Sequence, residues 1–433
     1  MSIAEIGLLT TLFLFVLFFI GLEIGPAMAL AGFVGFAYIV NLNAALNLVA
    51  KDVFNVFDSY GFTVIPLFVL MGQVGASGGV ARSLYDCAYK WMGHIPGGLA
   101  IGTVAAATAF KAICGSSPAT AATFASIAVP EMDRYNYDRR LSCGTVATVG
   151  TLGILIPPSV VLIIYGVLTE TSIGKLFMAG LIPGLMVAAS FAVTLLGWNL
   201  INPKLGPRGA KSTWRERFAA VPSVLGVGIV FLLVVGGLMF GFFTPSEAGS
   251  VGTIAVLILT LIKKDMDMKR FMRAVSDTLR IGCMVMVLLA GAMILGHFFA
   301  VTRTPFIVAT WLEGLHVSPF VIMLIIWGVY LIGGSFIEDL AFLVLATPIF
   351  LPVAIKMGYD PIAFGVIIAI ITMIGVILPP MAINAFVVAG VCKVSITTVY
   401  NGIYPYLIGM TICLLIVILF PEISMWLPNM FFK

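Results

Sequence analysis

The chain has 433 residues, of which 61% are hydrophobic and only 10% charged, with a formal net charge of +4 and a mean hydropathy of +1.15. A soluble domain carries roughly a quarter charged residues, so this composition excludes a water-soluble enzyme or binding module and places the chain in lipid. The apolar runs are unbroken and roughly 16–25 residues long, without the alternation of outer-membrane strands, which predicts an all-α polytopic membrane protein.

The first run, LLTTLFLFVLFFIGL, has no basic segment before it, because the first Lys or Arg is Lys51. No small-residue cleavage site follows, so 5–22 reads as a membrane helix rather than a signal peptide. Further spans are predicted at 27–46, 61–77, 141–168, 178–200, 221–241, 247–262, 281–300, 361–392 and 402–420. Two other apolar pairs, 98–130 and 319–350, are interrupted by CGSSPAT (114–120) and GGSFIED (333–339). Arms of about 15 residues are too short to cross comfortably, so each pair predicts a re-entrant hairpin with a Gly/Ser tip. The segment 263–280 is expected to be an amphipathic surface helix against lipid headgroups.

Basic residues orient the chain. Lys204, Arg208, Lys211, Arg215 and Arg217 share one loop, and Lys263, Lys264, Lys269, Arg270, Arg273 and Arg280 another. Two crossings separate them, so both are expected on the cytoplasmic side, with Arg134, Arg139 and Arg140. Counting outward leaves both termini on the outer side, the periplasmic one if the membrane is a bacterial inner membrane.

The chain contains a repeat. Pro157 and Pro379 lie 222 residues apart (379 − 157 = 222). The same offset pairs Pro130 with Pro352, Tyr137 with Tyr359, Asp138 with Asp360, Gly153 with Gly375, Gly180 with Gly402 and Pro183 with Pro405. The loop RYNYDRR is basic and its counterpart KMGYDP nearly neutral, and five predicted crossings separate them. An odd count and opposite charge bias both predict an inverted repeat with discontinuous helices, an architecture of secondary transporters. Each proline pair, Pro157-Pro158 and Pro379-Pro380, removes the donors for carbonyls of the preceding turn, at 153–156 and 375–378. Such carbonyls must find partners at membrane depth, and a dehydrated sodium ion is one that suits them. The tips add Ser116, Ser117 and Thr120 in the first copy and Gly334 and Ser335 in the second. Two kinks packed by neighbouring helices are the plainer alternative.

Little supports catalysis. Cys87, Cys114, Cys143, Cys283, Cys392 and Cys413 are scattered without metal or redox spacing, and His94, His297 and His316 form no ligand motif. No Ser–base pair or facing carboxylates occur at helical spacing, so the chain is not expected to be an enzyme. A passive channel fits poorly with paired hairpins closing a midplane site.

The stretches HIPGGLAIGTVAAA, CGSSPATAATFASIAVPEM, TLGILIPPSVVLIIYGVLTETSIGKLFMAGLIPG, FFTPSEAGSVG and ATPIFLPVAIKMGYDPIAFGVI run from about residue 94 to 405. In order and spacing they resemble the large membrane subunit of tripartite ATP-independent periplasmic (TRAP) transporters. The resemblance implies an elevator-type transporter in a bacterial inner membrane. It further implies a small four-helix membrane subunit, a periplasmic substrate-binding protein, and sodium-driven uptake of an organic acid of the sialic acid or C4-dicarboxylate class. No nucleic-acid partner is expected. The alternative is a stand-alone sodium/anion symporter without a binding protein; FTPSEA favours the tripartite reading.

Carried over by motif, the first sodium site comprises Gly115, Ser116, Ser117, Gly153, Ile156 and Pro157, and the second Gly334, Gly375, Leu378 and Met381. The substrate would meet Lys111, Thr120, Pro158, Ser335, Pro380 and Asn384. Transport-domain segments would be 94–200 and 319–420, and scaffold segments 1–77 and 204–300. The apolar residues of 1–60 and 221–262 would face the small subunit, and the FFTPSEA region the soluble protein. Three departures stand out: Pro118 after the serines, Glu338 where Asp is commoner, and Lys111 one turn before the tip, where its charge opposes a bound cation. Lys111 is expected near the cavity, paired with Glu338 or Asp339 or with a substrate carboxylate. Glu338 and Asp339 could instead cap the following helix. Glu170 and Arg303 lie near segment ends, where a surface position suffices.

Overall fold

A computed structural model describes residues 3–314 and 317–431, and His316 lies outside the described residues. The described regular structure is helical throughout. The first half comprises α1 (Ile3–Phe19), α2 (Ile24–Ile39), α3 (Leu42–Asp58), α4 (Val64–Ser77), α5 (Val80–Met92), α6 (Gly98–Lys111), α7 (Ser117–Arg134), α8 (Arg139–Val149), α9 (Val160–Leu168) and α10 (Ile173–Ile201). The second comprises α11 (Trp214–Phe231), α12 (Gly237–Met239), α13 (Pro245–Ile262), α14 (Met268–Thr302), α15 (Thr304–Glu313), α16 (Pro319–Phe336), α17 (Asp339–Lys356), α18 (Pro361–Gly375), α19 (Ile383–Cys392), α20 (Ile396–Leu419) and α21 (Glu422–Phe431). Among the described residues, eight helices are long and apolar enough to cross a membrane.

The offset of 222 residues extends well beyond the stretch 130–183 in which the sequence shows it. It carries both ends of α7 onto those of α17 and the start of α8 onto that of α18. The hairpin α6–α7 matches α16–α17, and the broken helix α8–α9 matches α18–α19. Toward the N-terminus, α2 matches α13, and α3 with α4 match the single helix α14. The conserved offset has local causes. Asp138 caps α8 by accepting the Arg140 N–H at 2.8 Å, and Asp360 caps α18 by accepting that of Ile362 at 2.8 Å. The Arg140 guanidinium also holds the Asp138 carboxyl below the usual carboxylate range.

Several expectations need correction. The segment 263–280 is no separate surface helix: from Met268 it is the start of the 35-residue α14. At 1.5 Å per residue α14 is about 50 Å long, so its basic first turns extend past the hydrocarbon layer. The predicted span 27–46 is divided, because Asn41 caps a new helix, its side chain accepting the Ala44 N–H at 2.7 Å. Helices α3, α5, α15 and α21 were not predicted as elements. FTPSEA begins α13 with a capping box: Thr244 N–H donates to Glu247 at 2.8 Å, and Glu247 N–H to the Thr244 hydroxyl at 3.3 Å.

In lipid, helices associate through close packing of small residues rather than through hydrophobic burial. Helix α2 lies along α14 on Gly25 and Gly32. A Cβ at these positions would stand 3.0 Å from Leu288 Cα and 2.8 Å from Leu295 Cα. Helices α8 and α20 cross at Gly144 and Gly402, where a Cβ on Gly402 would collide with the Arg140 carbonyl. Gly402→Val should therefore destabilise the protein by about 1–3 kcal/mol, through overpacking against backbone. Gly197, with nothing within 4 Å of its Cβ position, is the control. Thermal unfolding in detergent checks this: Gly197→Val should melt like the wild type and Gly402→Val clearly lower.

Candidate functional site

Five residues, 112–116, separate α6 from α7 at the first tip. The Ser116 hydroxyl caps α7, accepting the Ala119 N–H at 3.4 Å. Pro118 sits in the first turn, where no amide donor is needed, which explains its presence after the two serines. The Ser116 carbonyl accepts Lys111 Nζ at 2.9 Å and Thr120 Oγ1 at 2.9 Å. Ser117 accepts from Asn384 Nδ2 at 2.9 Å, and the same nitrogen lies 3.1 Å from the Ala147 carbonyl. A side chain of the second repeat thus ties the first tip to α8.

The first break runs from the end of α8 through a tight turn at Gly150–Ile154 to Val160. Pro157 and Pro158 cannot donate to Gly153 and Ile154. Ser159 compensates for one loss: its hydroxyl donates to the Ile154 carbonyl at 2.5 Å and caps α9 by accepting the Leu162 N–H at 3.3 Å. In the second break Leu378 N–H reaches the Gly375 carbonyl at 3.1 Å. Met381 stands where Ser159 does and has no hydroxyl to offer Val376.

Each tip packs on a break. A Cβ on Gly115 would lie 2.7 Å from the Pro158 carbonyl oxygen, and one on Gly375 3.0 Å from that of Gly334. The Met381 N–H donates to the Ser335 carbonyl at 3.1 Å. Gly334, Ser335, Gly375 and Met381 are therefore brought together, as are Gly115, Ser116, Ser117 and Pro158. The Ile156 side chain packs against Gly184 on α10. Pro380 accepts from the Tyr400 hydroxyl at 3.3 Å, and the Met381 side chain is exposed.

A cavity of about 310 Å³ lies between the two tips, with Ser116, Ser117, Glu338 and Asp339 on its walls. Phe68, Val69, Gly72 and Gln73 of α4 and Ile281 and Met284 of α14 close it from the other side. Lys111, Thr120, Pro158, Ser335, Pro380 and Asn384 are not among the residues that line it. Lys111 departs furthest from expectation. It is buried with 0% exposure and makes no ion pair with Glu338 or Asp339. Its ammonium turns back onto its own hairpin and lies against Gly153, where a Cβ would stand 2.5 Å from Nζ. Glu338 precedes α17 without a capping bond from its side chain. Among the described residues no cluster of His, Cys, Asp and Glu could hold a metal ion. Ser159 and Gln73 were overlooked, although a hydroxyl directly after two prolines and a lone amide in an apolar helix are both visible signals.

The sequence matches the family described as "Tripartite ATP-independent periplasmic transporter, DctM component" over residues 11–423. The chain belongs to this family. It is 36% identical over 381 residues to the C4-dicarboxylate TRAP transporter large permease protein DctM of Pseudomonas aeruginosa, covering 88% of this chain and 89% of that protein. It is 30% identical over 417 residues to the sialic acid TRAP transporter large permease protein SiaM of Vibrio cholerae, covering 96% of each. The fold resembles the Alcanivorax borkumensis YdaH transporter, with a TM-score of 0.63 at 14% identity over 88% of this chain and 90% of that one. The family is one of transporter permeases embedded in the membrane.

Removing the Ser159 hydroxyl leaves the Ile154 carbonyl without its donor in a dry interior. Ser159→Ala should cost about 1–3 kcal/mol, and Ser159→Thr should largely retain stability. Thermal unfolding of the three purified proteins measures the difference.

Proposed function

We propose that this chain is the large membrane subunit of a three-part, sodium-coupled importer of an organic acid in a bacterial inner membrane. The observation that carries the reading is the cavity between two hairpin tips of unlike charge. On one wall the N-terminus of α7 presents Ser116 and Ser117 without an acidic residue; on the other, α17 opens with Glu338 and Asp339. A helix N-terminus favours an anion, so the substrate carboxylate belongs at the α7 side. The acidic tip and the Gly334, Gly375, Leu378 and Met381 backbone favour a sodium ion at the α17 side. Relatives named for C4-dicarboxylate and sialic acid support the substrate class.

The hairpins and broken helices, 94–200 and 319–420, form the moving unit of an elevator; 1–77 and 204–300, which supply α4 and α14, form the scaffold. The basic loops face the cytoplasm and both termini the periplasm. Exposed apolar side chains on α1, α3 and α11, among them Leu12, Phe54 and Ile229, offer surface for lipid and for the small four-helix subunit. A periplasmic binding protein delivers the substrate at the opposite loops.

Reconstituted large and small subunits, supplied with the soluble binding protein, should accumulate C4-dicarboxylate or sialic acid several-fold under an inward sodium gradient. Equal uptake under a potassium gradient defeats sodium coupling. Full uptake without the soluble protein favours the stand-alone symporter instead. In a cysteine-free background, cross-linking Gln73→Cys on α4 to Ala119→Cys on α7 should stop uptake, because both residues line the cavity from opposite units. Undiminished uptake in the cross-linked protein defeats the elevator.

A further inference from the structure

We infer that the Lys111 ammonium is a tethered cation that takes the place of a sodium ion at the first hairpin tip, so that only the second tip binds sodium. This rests on the sodium-coupled reading above and narrows it.

The two breaks are matched in the backbone and unlike in what faces them. At Gly375 the facing group is the Gly334 backbone. At the matching Gly153 it is Lys111 Nζ, 2.5 Å from where a Cβ would stand. The ammonium is wholly buried, donates to the Ser116 carbonyl at 2.9 Å, and among the described residues has no carboxylate within 4.0 Å. Asp339 acts on it through space without touching it, so the contacts that hold the ammonium are to neutral oxygens, and the tip supplies one from the same Ser116 that was assigned to sodium. The ammonium also lies against Gly153, a residue whose carbonyl Pro157 has deprived of its helical donor. Lys111 therefore bridges the same two elements, tip and break, that a bound ion would.

Occupancy by the ammonium excludes the ion. Two unit charges about 4 Å apart at an effective dielectric constant near 20 repel enough to weaken binding roughly a thousand-fold. The second tip has no equivalent cation: the residue matching Lys111 is Gly333, whose side-chain space is filled by the Phe342 ring. That tip instead carries Glu338 and Asp339.

The test uses the reconstituted complex and purified large subunit with ²²Na⁺ as probe. Lys111→Ala removes the charge and opens its space. The variant should bind one more sodium per chain than wild type, and its uptake should depend on sodium more steeply, the Hill coefficient rising by about one. Lys111→Met fills the space without charge and should lose uptake at least tenfold at every sodium concentration. A Lys111→Ala protein with unchanged sodium binding and an unchanged Hill coefficient overturns the inference and leaves sodium coupling standing. A wild type indifferent to sodium overturns both. Should the Lys111 variants fail to fold, Gly375→Val with Lys111 intact decides: it should bind no sodium at the tips, and retained binding overturns the inference.

Discussion

At membrane depth a backbone carbonyl or amide cannot turn to water, and this constraint organises the molecule. Two proline pairs each remove donors in the middle of a buried helix. Neighbouring groups answer part of that loss: Ser159 donates to Ile154, and Leu378 folds back onto Gly375. The hairpin tips lie against the breaks and surround them with protein, as irregular backbone at membrane depth requires. The cavity between the tips follows from that contact. Glycine makes the approach close enough, at Gly115 against Pro158 and at Gly334 against Gly375.

The same economy of side chains governs the packing of the remaining helices. Small residues bring α2 onto α14 and α8 onto α20 with backbones nearly touching. Such seams hold by dispersion over a long line of contact, so their geometry tolerates little change in volume. Helices that take part in few seams, such as α11, keep much of their apolar surface outward.

Much of this was legible beforehand. Unbroken apolar runs, paired prolines and a repeated spacing are properties of the chain itself, and the hairpins, breaks and duplication follow from them. Helices α3 and α5 were not legible, because Asn, Lys, Asp and Arg within them lower the hydropathy that marks a span. The continuity of α14 was hidden for a related reason: hydropathy records where the bilayer ends, not where the helix does. Lys111 shows the sharpest limit. Its position one turn before the tip was readable, but the direction of a long flexible side chain depends on which oxygen lies free, and Ser116 becomes available only once the hairpin has closed. Asn384 was placed among substrate contacts by motif; its reach across to Ser117 and Ala147 is a property of the assembled repeats.

That reach bears on the ancestry of the fold. The bond from Asn384 to Ser117 is made once, from the second half to the first. In the first half the position matching Asn384 is Leu162, and in the second the position matching Ser117 is Asp339. A molecule assembled from two first halves would have the serines and no amide to meet them. One assembled from two second halves would offer its amides a charged carboxylate in place of a neutral hydroxyl. The duplicated units are therefore no longer interchangeable: what began as one sequence used twice has become a lock and its key, with the neutral amide–hydroxyl bond available only between unlike halves.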